Sequence, residues 1–256
     1  MKQFNKTFTQ QESLPEDAIS KAIEILRSGR LHRYNTGPDE VSETALLETE
    51  YAKYQGSRFC LALASGGQAL QIALRASGLN PGDKVLANAY TLAPVPGAIH
   101  AVGGVPIFVE IDCDWLTDIE DLKRKAVESR AKFFMLSHMR GHIANMDAIC
   151  SICDDLDIVL IEDCAHTMGA EWKKQKSGNF GKVGCFSTQT YKHLNSGEGG
   201  FLTTDDENIA AKAVILSGSY MLYERHIASP APEVFEKIKF ETPNCSARLD
   251  NLRAAI

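Results

Sequence analysis

The chain has 256 residues, of which 44% are hydrophobic and 23% charged, and its formal net charge is -6 at pH 7. This is an ordinary globular composition, long enough for one large α/β domain or two small ones. The acidic balance favours neither nucleic acid nor an anionic membrane as partner, no apolar run is long enough to span a bilayer, and the polar start MKQFNKTFTQQESLP carries no secretory h-region.

Apolar residues at three-to-four spacing predict helices over Glu16–Ser28 and Ser42–Tyr54. A strand over Arg58–Ala64 then runs through a glycine-containing turn into a helix over Gln68–Ser77. Strands at Lys84–Tyr90 and Val105–Ile111 precede a helix at Ile119–Val127. After them come a strand at Ala131–His138, a helix at Met146–Leu156 and a strand at Ile158–Asp163. The last strands are Val183–Gln189 and Gly200–Thr204, after which Asp205 and Asp206 open a helix over Glu207–Ser217. Most of these strands are near-continuous apolar runs, as expected where helices cover both faces. The expected fold is therefore α/β, with a mostly parallel sheet of about seven strands. Leu222–Pro243 reads as an irregular excursion. The end, SARLDNLRAAI, has helical periodicity and no stop signal, as though the chain were cut within an element. The expected organisation is a helical segment at 1–30, the main domain at 31–220 and a closing segment at 221–256.

The seven cysteines are an odd number and mostly sit in apolar stretches such as RFCLALA and VGCFST, the pattern of reduced, packed thiols in a cytoplasmic protein. Cys150 and Cys153 stand at helical spacing with no second pair, and read as core packing. His138 and His142 in HMRGH have i,i+4 spacing, but Gly141 lies between them and no catalytic Glu accompanies them, so no metal site is read there. Asp112 and Asp114 read as caps of the next helix.

Three features carry chemistry. The turn Ser65-Gly66-Gly67-Gln68 opens a helix, where free backbone N–H groups and the helix dipole suit a phosphate; the same glycines would also serve a plain strand-to-helix turn. Asp163 ends an apolar strand at the sheet edge where ligands bind in open α/β folds, and it could pair with a protonated ring nitrogen or simply cap a helix. Three residues on, His166 could lie against the same ligand. Lys192 is the lone lysine of STQTYKHLNSGEGG; buried, it could lose its proton and hold a carbonyl as a Schiff base, and exposed it would be an ordinary surface lysine. Ser187 ends the preceding strand, and Gly197-Glu198-Gly199-Gly200 reads as a hairpin-like reversal.

Together, SGGQALQIALRASGLNPGDKVLANAYT, VPIFVEID, IEDCAHTMGA and GCFSTQTYKHLNSGEGGFLTTDD resemble the DegT/StrS-type sugar aminotransferases, from about Leu26 to the last residue. These are fold-type I enzymes dependent on pyridoxal 5′-phosphate (PLP). The resemblance implies that Lys192 forms the Schiff base with the cofactor, that Asp163 partners the pyridine nitrogen, and that His166 sits beside the ring or its phenolic oxygen. Ser187 looks like a phosphate-binding serine, and Ser65, Gly66, Gly67 and Gln68 like the phosphate turn of the large domain. It further implies amino transfer from glutamate or glutamine to a keto sugar, nucleotide-linked, in a homodimer. A dehydratase of the same fold and an idle PLP-fold binding protein are the rivals; in the dehydratase branch a histidine replaces the lysine. The chain also departs from the family. Gly67 stands where a threonine is usual, Leu92 where an aromatic commonly covers the ring (with Tyr90 two residues earlier), and Ser246 where an asparagine reaches the neighbouring subunit's phosphate, with Asn244 nearby. Family members also carry a smaller C-terminal domain beyond the point where this chain stops.

Overall fold

The computed structural model describes residues 5, 11–37 and 39–256. Its strands are β1 (Phe59–Leu63), β2 (Lys84–Asn88), β3 (Val105–Val109), β4 (Phe133–Ser137), β5 (Val159–Asp163), β6 (Glu171–Trp172), β7 (Gln175–Lys176), β8 (Val183–Ser187) and β9 (Gly200–Thr204). Seven of them form one sheet in the order β1-β9-β8-β5-β4-β2-β3, while β6 and β7 make a separate hairpin. From β8 to β3 all neighbours are parallel; β9 runs antiparallel to both β8 and β1. The mostly parallel seven-stranded sheet matches the expectation.

The helices are α1 (Glu16–Ser28), α2 (Glu43–Gln55), α3 (Gly66–Ala76), α4 (Pro94–Ala101), α5 (Ile119–Ser129), α6 (Met146–Asp155), α7 (Glu207–Gly218), α8 (Pro232–Glu236) and α9 (Asn251–Ala254). Alternation along the strands decides which helices each face meets. Phe133 and Met135 of β4 pack with Leu70 and Ile72 of α3, Ile99 of α4 and Val214 of α7. Phe134 and Leu136, one residue out of step, pack with Leu122 of α5 and Ile149 of α6. On that second face, α2 covers β8 and β9 through Tyr51, whose ring stacks on Phe201 at 4.2 Å.

Several boundaries differ from the sequence reading, each for a local reason. The strand expected to reach Gln189 ends at Ser187, because the chain turns there and Thr188 N bonds Gly199 O. The strand expected to reach Tyr90 ends at Asn88, whose side chain donates to Tyr90 O and Ser137 O. The short β6–β7 hairpin and two helices went unread. Helix α4 begins on Pro94 and contains Pro96, so its sequence reads as a break. Helix α8 lies within the expected excursion, where buried Phe235 stacks on Tyr223. Asp112 and Asp114 do not cap α5. Asp118 does, accepting from Glu120 N and Asp121 N, and Asp112 instead closes a turn by accepting from Asp114 N and Leu116 N. At the end of the chain, α9 covers only Asn251–Ala254. Before it, Ala64 N bonds Ala247 O, laying this segment across the end of β1. Asn251 ties it to the N-terminal region, accepting from Thr44 Oγ1 and donating to Arg30 O and His32 O. No helix among the described residues is long and apolar enough to cross a membrane.

Candidate active site

The carboxyl ends of β4, β5 and β8 meet the amino end of α3 around a small, mostly apolar cavity, at the sheet edge where open α/β folds bind ligands. Register puts three of its residues there. Ser137 of β4 pairs with Asp163 of β5, and Asp163 pairs with Cys185 of β8, two residues before Ser187. Asp163 is half-buried and both its oxygens are held: Oδ2 accepts from Ser137 Oγ at 3.0 Å and Oδ1 from Ala165 N at 3.1 Å. Ser137 is itself fixed by Asn88, whose side chain accepts from Ser137 N and donates to Ser137 O.

Lys192 reaches this cavity from the β8–β9 connection, where its backbone N bonds Gln189 O. The reversal through Gly197 is a hairpin-like one, with Thr190 N on Gly197 O. Lys192 Nζ lies 2.8 Å from His166 Nε2, and His166 Nδ1 accepts from Arg140 N at 3.3 Å. Burial lowers the Lys192 amine from its ordinary value, with Asp163 opposing and Arg140 reinforcing the shift. Burial likewise lowers His166, reinforced by Lys192, Arg140 and His193 and opposed by Asp163. The pair therefore sits near neutrality more readily than the same groups in water.

On the opposite wall, Gly66 and Gly67 are the first two residues of α3, so their amides have no intrahelical acceptor, and both residues line the cavity with Ser187. Gly66 has no alternative: a Cβ there would stand 2.9 Å from Ser187 Cβ and 3.3 Å from Phe186 O. Ser65 and Gln68, by contrast, do not line this cavity. Ser65 Oγ caps α3 by accepting from Gln68 N, and the Gln68 side chain belongs to a separate cleft with Gln71 and Arg75. Leu92 lines the cavity with Pro94 and Val95, whereas the Tyr90 ring packs against Trp115. Ser246 and Asn244 lie outside it, on the surface, where Asn244 Oδ1 accepts from Ser246 N.

Ser137, Met139 and Arg140 escaped the sequence reading. Ser137 was the most accessible to it, since it ends a central parallel strand next to Asp163 and obeys the same sheet-edge rule. His138 does not pair with His142; its Nε2 meets Glu162 at 3.0 Å. His138, Glu162 and Cys164 bring polar atoms within 4.8 Å of one another. Glu162 is nonetheless fully engaged, accepting from Gly178 N, Phe180 N and Gly181 N as well, and burial holds the Cys164 thiol far above its ordinary value. A thiol held protonated and a saturated carboxylate make a structural cluster.

The model of the DegT/DnrJ/EryC1/StrS aminotransferase family matches residues 13–256. The chain belongs to this family. Among its curated relatives is the L-glutamine:2-deoxy-scyllo-inosose aminotransferase of Streptomyces kanamyceticus, 35% identical over 198 residues, covering 77% of this chain and 45% of that protein. Solved structures agree. NtdA from Bacillus subtilis with bound cofactor PMP superposes with a TM-score of 0.77 at 27% identity, over 94% of this chain and 51% of that one. GDP-4-keto-6-deoxymannose-3-dehydratase, holding a trapped PLP-glutamate geminal diamine, superposes at 0.82 and 25% identity, over 98% of this chain and 66% of that one. This DegT-family chain spans about half the length of the curated relatives it matches.

Proposed function

We propose that this chain is the cofactor-binding part of a PLP-dependent aminotransferase that moves an amino group from glutamate or glutamine to a keto sugar, nucleotide-linked, or to a keto-cyclitol. The observation that carries the reading is the convergence on one cavity of a carboxylate (Asp163), an amine with lowered proton affinity (Lys192) and the first residues of a helix (Gly66 and Gly67). That donor set fits PLP: an anion acceptor for a protonated ring nitrogen, a nucleophile for an aldehyde, and N–H groups for a phosphate. The names of two relatives, L-glutamine:scyllo-inosose aminotransferases, support glutamine as donor and a keto-cyclitol as acceptor, while glutamate and a nucleotide-linked sugar are what the family resemblance implies.

PLP, when bound, supplies an aldehyde and an electron-accepting ring. The protein's own groups do the rest. Asp163, held at both oxygens, would keep a proton on the ring nitrogen. Ser187 Oγ and the start of α3 at Gly66 and Gly67 would hold the phosphate, Leu92 would cover the ring by dispersion, and His166 would meet a polar group of the cofactor. Lys192 would be the point of covalent attachment, and its Nζ, when free, would be placed to take and return a proton at the donor Cα. The family resemblance implies a homodimer, and seven free cysteines are in keeping with a cytoplasmic protein.

The dehydratase reading has the support of solved neighbours of that activity. Lys192 in the cavity favours amino transfer over it, because the resemblance places a histidine at this position in the dehydratase branch. The test is absorbance. Purified with PLP, the protein should show a band between about 400 and about 430 nm that Lys192→Ala abolishes and that glutamate or glutamine bleaches. A band unchanged in Lys192→Ala refutes the assignment, and a lysine-dependent band that no amino donor bleaches refutes the transaminase reading.

A further inference from the structure

His166 is half-buried between two groups that fix where its proton sits. Arg140 N lies 3.3 Å from Nδ1, and Lys192 Nζ lies 2.8 Å from Nε2. A backbone amide can only donate, so Nδ1 offers its lone pair there and carries no hydrogen. In a neutral imidazole the proton is then on Nε2, pointing at Lys192. An N–H aimed at an amine needs a lone pair to receive it, and an ammonium has none. If Lys192 were an ammonium, it would donate to Nε2, the ring proton would move to Nδ1, and two donors would face each other at 3.3 Å. A doubly protonated ring meets the same conflict.

The Arg140 amide is held in place by its turn. Arg140 has φ 55 and Gly141 φ 86, consecutive left-handed residues, and the turn is closed by Gly141 N on His138 O and His142 N on Met139 O. The charged surroundings point the same way. Asp163 alone favours the charged forms of Lys192 and His166, while burial and Arg140 oppose both, and His193 also opposes charging of His166.

We propose that His166 is a positioning residue for cofactor capture: its Nδ1 capped by the Arg140 amide, it donates Nε2–H to Lys192 and holds that amine in the neutral, nucleophilic form that attacks an aldehyde. This rests on the reading of Lys192 as the Schiff-base lysine. A lysine of ordinary pKa has only about one amine in a thousand neutral near pH 7.4, so the donor hydrogen bond acts on a large rate factor. In the capture step the Lys192 Nζ lone pair forms a bond to the aldehyde carbon, and the carbonyl π pair moves to oxygen. That oxygen leaves as water with both amine hydrogens, and a C=N bond replaces C=O. No oxidant or reductant is needed.

Two measurements test this. In cofactor-free protein with ¹⁵N-labelled histidine, the signals absent from His166→Gln should show a pyrrole-like Nε2 and a pyridine-like Nδ1; the reverse assignment overturns the proposal. PLP loading is then followed over pH in wild type, His166→Gln and His166→Glu. The Gln amide can replace the lost donor, whereas Glu accepts from Lys192 and pairs with its ammonium. Gln should load within about threefold of wild type, and Glu should load at least about tenfold more slowly at neutral pH, recovering about tenfold per pH unit as pH rises. Equal loading by the Gln and Glu variants overturns the proposal. If no variant or wild type forms the lysine-dependent band, the cofactor reading fails, and the histidine spectrum still decides the His166–Lys192 arrangement.

Discussion

Ser137 Oγ donates to Asp163 Oδ2 at 3.0 Å, joining the last residues of two adjacent parallel strands. With Ala165 N on the other oxygen, the carboxylate is held in one orientation before any ligand arrives. Replacing Ser137 by Ala frees Oδ2 and should weaken PLP binding about five- to tenfold, the worth of one hydrogen bond of roughly 1 kcal/mol. Asp163→Ala should cost far more. The double variant should bind no worse than Asp163→Ala alone, because Ser137 acts through Asp163. Spectrophotometric titration of the four proteins measures this; additive losses would show that Ser137 acts elsewhere.

Two adjacent glycines should respond in opposite ways. A Cβ on Gly66 meets Ser187 Cβ at 2.9 Å, whereas on Gly67 its nearest neighbour is Ser65 Oγ at 3.8 Å. Gly66→Ala should therefore cost about 1–3 kcal/mol in overpacking, and Gly67→Ala should add about 0.4–1 kcal/mol by narrowing the unfolded chain. Thermal melts should show Tm falling by several degrees in the first and rising slightly in the second. Equal Tm values would show that the turn relaxes around either methyl.

The sheet was legible because its strands are unbroken apolar runs between helices, and the cavity because Asp163 and Lys192 stand out chemically against such runs. What stayed hidden depends on chain geometry. Ser65 and Gln68 look equivalent to Gly66 and Gly67 in sequence, but a helix start turns each residue through about 100°, so only part of the turn lines the cavity. Arg140 came to His166 through a left-handed backbone that no periodicity announces. Glu48 was hidden for the opposite reason. It lies on the buried face of α2 with Thr44 and Gln55, so that face is partly polar, and its partner His226 is far away in sequence.

That buried cluster sets a pH dependence. Arg33 grips Glu48 with two hydrogen bonds, at 2.8 and 2.9 Å, and donates to His226 Nδ1, while Tyr34 OH meets His226 Nε2 at 2.6 Å. Burial and then Arg33 lower His226, with Glu48 opposing, so the ring is neutral in the fold. The unfolded chain takes up a proton below about pH 6.5 that the folded one refuses, so stability should fall as pH drops from 7 to 5. Burial pushes Glu48 up, but the two hydrogen bonds and charge of Arg33 outweigh it and hold the carboxyl below its ordinary value, so its contribution persists to more acid pH and is lost only below about pH 4.5. His226→Gln, which keeps an acceptor for Arg33 and a donor for Tyr34, should flatten the loss between pH 7 and 5 by about 1 kcal/mol in urea unfolding. The same slope in both proteins would sink this account.

Glu162 offers the sharpest test of how the fold supports the site, because it neighbours Asp163 on β5 and faces the other way. Its Oε1 accepts from Phe180 N and Gly181 N, and its Oε2 from Gly178 N and His138 Nε2. A glutamine of the same shape must turn its NH₂ toward one of these pairs. On the Oε1 side it opposes two backbone N–H groups. On the Oε2 side it can be reconciled with His138 by a change of tautomer, since His138 Nδ1 has no partner, but it still opposes Gly178 N. At least one buried amide therefore loses its acceptor. The expected cost of Glu162→Gln is about 2–4 kcal/mol, a fall in Tm of roughly 5–15 °C. Hydrogen exchange should quicken first at Gly178, Phe180 and Gly181, the amides that Glu162 holds. Lys192 and Asp163 keep their own contacts, so PLP titrated well below the new Tm should still form the lysine-dependent band. Loss of that band in a folded variant would move Glu162 from the scaffold into the binding machinery.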